Sequence, residues 1–97
     1  KGPSEAVMDG GFMRVRHVGV ADDGRKLMLT IKSDGDPGNR ITVALLCESA
    51  LLLATSSPGD LPGGATRGGV LTPATALGMS LRPRLESVGF SFEFSEL

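Results

Sequence analysis

Residues that could perform chemistry are few in this 97-residue sequence, which contains one histidine, His17, and one cysteine, Cys47. A histidine-rich metal site needs several ligands close together, and a nucleophilic thiol needs a base beside it. Asp22 and Asp23 lie in a turn-like stretch, and the other carboxylates form no pair suited to acid–base catalysis. The sequence therefore predicts no catalytic residue and no metal site.

Cys47 lies in an apolar stretch, residues 43–54, which is interrupted by Glu48 and Ser49. Reactive thiols need exposed, electropositive surroundings, so we interpret Cys47 as a buried, inert thiol. The stretch is too short to cross a membrane. A lone cysteine suits a reducing compartment, and a cytoplasmic location is therefore expected. The net charge of -1 argues against a nucleic-acid partner, which would normally require a strongly basic surface.

A β-hairpin is predicted near the N-terminal end. The β-rich runs 12–20 and 25–33 are separated by Ala21-Asp22-Asp23-Gly24, and Asp and Gly tolerate the left-handed backbone of a tight turn. The favoured register sets three pairs opposite each other: His17 and Leu29, Val15 and Ile31, Gly19 and Leu27. This register separates an apolar face from a charged one, whereas a slip by one residue would mix them.

The charged face of the hairpin is cationic. Its members are Arg14, Arg16, Lys26 and Lys32, together with Val18, Met28 and Thr30. Two interpretations are open: an ordinary solvated sheet face, or a surface that meets an anionic cofactor, substrate or partner. His17 lies on the apolar face, where we interpret it as a core histidine rather than a catalytic base.

A turn over residues 34–39 leads from the second strand into a helix over residues 40–55. Pro37 fixes φ, and Asn39 is predicted to cap the helix. The helix is apolar on nearly every side and is therefore expected to be buried on nearly every side. Two strands and one other helix cannot cover it. Together with the first residue, Lys1, this leads us to expect a piece of a longer polypeptide.

A Gly- and Pro-rich surface loop over residues 56–69 precedes a second helix. Thr72 is predicted as its N-cap, with Pro73 at the first helical position. Pro83 removes a backbone donor and crowds the preceding turn, so a break is expected near residues 79–80. Gly89 is predicted to end the helix.

The remaining side chains near the C-terminus complete this interpretation. Arg82 and Arg84 flank Pro83 and are expected to be solvated. The phenylalanines at 90, 92 and 94 alternate with polar residues, which predicts a half-buried final strand with an aromatic face.

The predicted fold class is α+β, with an antiparallel hairpin, two helices and a C-terminal strand that joins the same sheet. Residues 1–11 are interpreted as a linker or lead-in, and residues 12–97 as a single domain.

Two blocks of the sequence resemble the C-terminal end of the saccharopine dehydrogenase-like oxidoreductases, a group that includes the mycobacterial trans-acting enoyl reductases. The first block is Gly68-Gly69-Val70-Leu71-Thr72-Pro73-Ala74-Thr75-Ala76-Leu77-Gly78, followed by Leu81, Arg84-Leu85, Gly89 and Phe92-Glu93-Phe94. The second is Gly35-Asp36-Pro37-Gly38, followed by Leu46, Glu48-Ser49-Ala50 and Leu52. The resemblance covers residues 25–97.

The resemblance implies a larger enzyme with an N-terminal Rossmann domain of the same chain that binds NAD or NADP. No Gly-x-Gly-x-x-Gly fingerprint is found here, so no cofactor is expected in these residues. They would form a C-terminal domain that packs on the Rossmann domain, helps to form the substrate side or supports a homodimer. Asp36, Asn39 and Thr72 are the residues expected to contact substrate, and turn formation and capping are their alternative roles. A second hypothesis is a non-enzymatic dimerisation or interaction module.

Overall fold

The computed structural model describes all residues, Lys1–Leu97, and divides into two compact units. The sheet unit comprises residues 1–42 and 89–97, and the helical unit comprises residues 43–88. The helices are α1 (Glu5–Asp9), α2 (Thr42–Thr55), α3 (Pro73–Leu77) and α4 (Leu81–Ser87). The strands are β1 (Phe12–Val20), β2 (Lys26–Asp34) and β3 (Ser91–Glu96).

The hairpin of β1 and β2 confirms the predicted turn and register. Val15 pairs with Ile31, His17 with Leu29, and Gly19 with Leu27. Gly24 has a φ of +84°, and its N–H donates to the Ala21 carbonyl at 2.9 Å. A glycine at this turn position adopts the left-handed backbone without the cost that a Cβ would bring.

The strand β3 pairs antiparallel with β2, so the sheet has three strands in the order β1-β2-β3. Phe92 lies opposite Ile31, and Phe94 lies opposite Leu29. The predicted α+β class is therefore confirmed, and so is the joining of the C-terminal strand to the hairpin sheet.

Few side chains of the sheet unit are buried. They are Ile41, Phe90, Thr30 and Ser33. Phe90 precedes β3, whereas Phe94 within the strand is 55% exposed. The core histidine prediction is wrong for this chain, because the His17 side chain is exposed. Its neighbours on the same face, Val15 and Leu27, are exposed as well, so nothing in the sheet unit encloses the ring.

Residues 1–11, predicted as a lead-in, contain the short helix α1. Its N-cap is Ser4, whose hydroxyl accepts from the Val7 N–H at 3.4 Å. Asp36 N–H donates to the Met8 carbonyl at 2.7 Å, which ties this segment to the turn after β2.

The core of the helical unit consists of Leu52, Leu77 and Leu85. Thr72 caps α3 with Pro73 at its first position, as predicted. The predicted break is also confirmed, because a 3-10 turn over Gly78–Ser80 separates α3 from α4. The break places Pro83 in the first turn of α4, where a missing N–H costs little.

Two predictions about the helical unit are wrong. Arg84, expected to be solvated, forms a 2.8 Å ion pair with Glu48 of α2. Cys47, expected to be buried, is exposed. It lies on a stripe of α2 whose members all have exposed side chains: Val43, Leu46, Cys47, Ala50, Leu53 and Ala54.

The stripe shows that the helical unit does not enclose α2. Leu46 is 68% exposed, and Leu52 is the only buried residue of the helix. The expectation of burial on nearly every side is therefore not met within residues 1–97. No helix in the structure has both the length and the hydropathy needed to cross a bilayer.

Candidate functional site

The turn after β2 brings together two of the three residues predicted to contact substrate, Asp36 and Asn39. The Asp36 Oδ2 atom accepts from the Asn39 backbone N–H at 2.8 Å and from Asn39 Nδ2 at 3.0 Å. Asp36 is thus the N-cap of the π-helical turn Pro37–Ile41, which continues into α2. The predicted cap, Asn39, is wrong: it lies inside the first turn and donates to the cap.

The sequence folds this way because each position of the turn meets a local requirement. Gly35 has a φ of +101°, a value that favours glycine. A Cβ on Gly11 would lie 2.9 Å from the Asp36 Cα and N atoms, so only glycine allows this close approach. Pro37 occupies the first helical position, where it needs no backbone donor.

An ion pair to α1 and a side-chain hydrogen bond within the turn stabilise the turn after β2. Arg40 reaches Asp9 of α1 with an Nη2–Oδ1 distance of 3.0 Å. Thr42 Oγ1 donates to the Pro37 carbonyl at 2.7 Å. The Asp9–Arg40 pair spans 31 residues, so no local pattern in the sequence could have indicated it.

The arrangement does not suit a nucleotide phosphate, although a glycine-containing turn leads from a strand into a helix. A phosphate at such a position is bound by the free N–H groups of the first helical turn. Here the carboxylate of Asp36 already accepts from the Asn39 N–H and would repel an anion. The exposed Asn39 amide and the half-buried Asp36 carboxylate could instead meet a neutral polar group.

Thr72, the third predicted contact residue, lies in the helical unit. Its hydroxyl accepts from the Thr75 N–H at 3.3 Å and also bonds the Thr75 hydroxyl. The side chain is exposed. The capping role of Thr72 is therefore directly visible in the structure.

The cationic face of the sheet is the second candidate surface. Lys32 Nζ lies 2.6 Å from a Glu93 carboxylate oxygen on β3. Arg14, Arg16 and Lys26 form no ion pair. Thr30 lies between these side chains and is only 8% exposed. Glu93 is the residue that the sequence interpretation missed, because its cross-strand position depends on how β3 pairs.

No group of three or more His, Cys, Asp or Glu side chains could hold a metal ion. Every buried side-chain nitrogen and oxygen atom has a hydrogen-bond partner.

Two curated proteins of Mycobacterium tuberculosis are similar to the chain along nearly all of its length. Both bear the name "Putative trans-acting enoyl reductase", one from strain H37Rv and the other from strain CDC 1551. Each is 35% identical over 96 residues, which is 99% of this chain and 22% of the relative. The chain thus spans about a fifth of the length of these relatives, and the match supports an oxidoreductase-like relationship.

No family model matches the sequence. No solved structure gives a significant match either.

Proposed function

We propose that these residues form the C-terminal domain of a saccharopine dehydrogenase-like, NAD(P)-dependent oxidoreductase, and that the complete protein reduces an enoyl substrate. The observation that carries the proposal is the 35% identity over 96 residues to proteins named as trans-acting enoyl reductases. A match that spans 22% of the relative agrees with a domain of a larger enzyme.

In this proposal the domain supplies surfaces rather than reacting groups. The nicotinamide cofactor, when bound, donates a hydride to one carbon of the double bond, while a proton reaches the other. The N-terminal Rossmann domain of the same polypeptide holds that cofactor. The capped turn after β2 is unsuitable for its phosphates, because Asp36 occupies the helix N-terminus.

The substrate-side role is assigned to Asp36, Asn39 and Thr72. Asp36 and Asn39 form one rigid polar corner, because the backbone N–H and the side-chain amide of Asn39 both donate hydrogen bonds to Asp36 Oδ2. A preformed corner costs little ordering entropy when it meets a polar group of the substrate. We also propose that the complete enzyme is a cytoplasmic homodimer.

The test uses the complete gene product. We expect it to co-purify with, or bind, a nicotinamide nucleotide detectable by absorbance and mass spectrometry. The reduced nucleotide should then be oxidised when an α,β-unsaturated acyl thioester is added. Absence of nucleotide binding would overturn the oxidoreductase assignment. Nucleotide-dependent hydrogen-exchange protection confined to residues 1–97 would contradict the assignment of the cofactor to another domain.

A second candidate function is a non-enzymatic dimerisation or interaction module. The exposed apolar stripe of α2 favours it, because large exposed apolar surfaces commonly mark protein–protein contacts. The two candidates differ in one measurement. A module would show self-association or partner binding that the substitution Leu46→Glu abolishes, without any nucleotide binding by the complete protein.

A further inference from the structure

The strand β1 lies at the edge of the three-stranded sheet, and β2 covers only one of its flanks. Its pairing with β2 is continuous from Phe12 to Val20, without a bulge. The strand contains no proline. Proteins protect a sheet edge with bulges, prolines, covering segments or charged side chains, and of these β1 has only the charges of Arg14 and Arg16. The outward backbone groups of this nine-residue strand therefore stay open to pairing with another strand.

Hydrogen bonds at both ends of the hairpin determine which backbone groups of β1 face β2. Ala21 N–H donates to the Arg25 carbonyl at 2.9 Å, and Gly35 N–H donates to the Gly11 carbonyl at 2.7 Å. In an antiparallel pair, residues with inward and outward backbone groups alternate. The odd-numbered residues from 11 to 21 therefore bond towards β2.

The even-numbered residues of β1 direct their N–H and C=O groups away from the sheet. They are Phe12, Arg14, Arg16, Val18 and Val20. None of the hydrogen bonds outside the helices and strands uses these groups. The open edge extends over eight residue steps of about 3.4 Å each, or roughly 27 Å.

We propose that a further strand, supplied by the part of the same polypeptide outside residues 1–97, pairs with this edge of β1. The inference rests on the proposed function to the extent that both require a longer chain. The relatives provide such a length, because the chain spans only 22% of them. Main-chain pairing of this kind satisfies the free groups without requiring a specific side-chain sequence.

A second copy of β1 is a poor occupant because of charge. Arg14 and Arg16 are the two arginines of the strand, and both lie on the same face. In the fully overlapped antiparallel register, Arg16 faces Arg16 of the second copy. If one copy shifts by two residues in one direction, Arg14 of each copy faces Arg16 of the other. If it shifts by two residues in the other direction, the Arg16 residues of the two copies become diagonal neighbours. Like charges in such positions destabilise a sheet, whereas a different strand can place acidic or neutral residues there.

Hydrogen exchange of the complete gene product, resolved to single amides, tests the proposal. The outward amides of Arg14, Arg16 and Val18 should exchange on the order of 100-fold more slowly than unprotected amides, because paired strand amides exchange only through opening. The inward amides of Val15 and His17 serve as the internal reference. The protection should not change on tenfold dilution.

Two outcomes would overturn the proposal. Outward amides that exchange as fast as unprotected ones would show an open edge, and protection that is lost on dilution would identify a second copy. Neither outcome depends on nucleotide binding, so failure here is distinguishable from failure of the proposed function.

Proline substitutions provide an independent measurement with a matched control. His17→Pro removes a backbone hydrogen bond to β2, because the His17 N–H points towards that strand. Arg16→Pro removes a backbone hydrogen bond only if another strand pairs with the outward edge of β1. We expect both variants of the complete protein to lose a similar amount of thermal stability. Full stability of Arg16→Pro beside a destabilised His17→Pro would contradict the proposed pairing. If both variants fail to fold, the exchange pattern of the unaltered protein decides.

Discussion

The sheet unit and the helical unit obtain their order from different interactions. In the sheet unit, two continuous hydrogen-bonded ladders join β1, β2 and β3, although few side chains are buried. In the helical unit, three buried leucines form the core, and α2 leaves an apolar stripe exposed. Hydrogen bonding fixes position without needing much buried area, whereas a helix is held in place mainly by the face it buries.

The apolar core of the helical unit should therefore be the place where one substitution has the largest effect. Leu77 is 1% exposed, so Leu77→Ala should lower the free energy of unfolding by about 3 kcal/mol through lost contacts and a residual cavity. Chemical denaturation monitored by circular dichroism measures the loss.

Leu46→Ala is the matched control, because it removes the same atoms from a side chain that is 68% exposed. In residues 1–97 it should cost much less than Leu77→Ala. A larger cost of Leu46→Ala in the complete protein would show that the stripe of α2 is covered there. If the two substitutions lowered the free energy of unfolding of residues 1–97 equally, the difference between the buried Leu77 and the exposed Leu46 would be contradicted.

The contrast between the units also explains what the sequence could and could not predict. The register of the hairpin followed from alternating apolar and charged residues, and the Thr72 cap and the break near Pro83 followed from residue types. Because α2 is apolar on nearly all sides, no periodicity identified its buried face, and Cys47 was assigned to the wrong side.

Long-range ion pairs could not be predicted from the sequence either. Glu48 and Arg84 are 36 residues apart, and their contact depends on how α2 and α4 pack. In the candidate site, the sequence predicted Asn39 as the cap, whereas the capping side chain is Asp36. The choice between them required the geometry, since either side chain can accept from a helix N-terminus.

The sheet unit should be most sensitive where its backbone segments touch. In Gly11→Ala, the new Cβ would lie 2.9 Å from backbone atoms of Asp36, which cannot move without disturbing the cap. We expect a loss of about 2 kcal/mol, as for other overpacked sites. Differential scanning calorimetry would detect it. Gly68→Ala is the control, because a Cβ there meets no atom within 4 Å; a similar loss in both variants would show that the close approach is not what matters.

Each unit has one helix N-cap among the predicted contact residues, Asp36 in the sheet unit and Thr72 in the helical unit. Removing either cap should have a smaller effect on stability than the substitutions above. Asp36→Ala removes a charged acceptor that binds two Asn39 donors, at 2.8 and 3.0 Å, and should cost about 1 kcal/mol. Thr72→Ala removes a 3.3 Å bond at the start of a five-residue helix and should cost roughly half as much. Urea denaturation of both variants measures the difference, and a larger loss for Thr72→Ala would reverse the ranking.

Asp36→Asn separates capping from substrate contact, because asparagine caps a helix nearly as well as aspartate. The variant should keep the stability of the unaltered protein. Under the proposed function, with Asp36 in contact with substrate, the KM of the variant for an enoyl substrate should rise severalfold while stability is unchanged, because a charged hydrogen bond is stronger than a neutral one. An unchanged KM would leave Asp36 with its capping role alone.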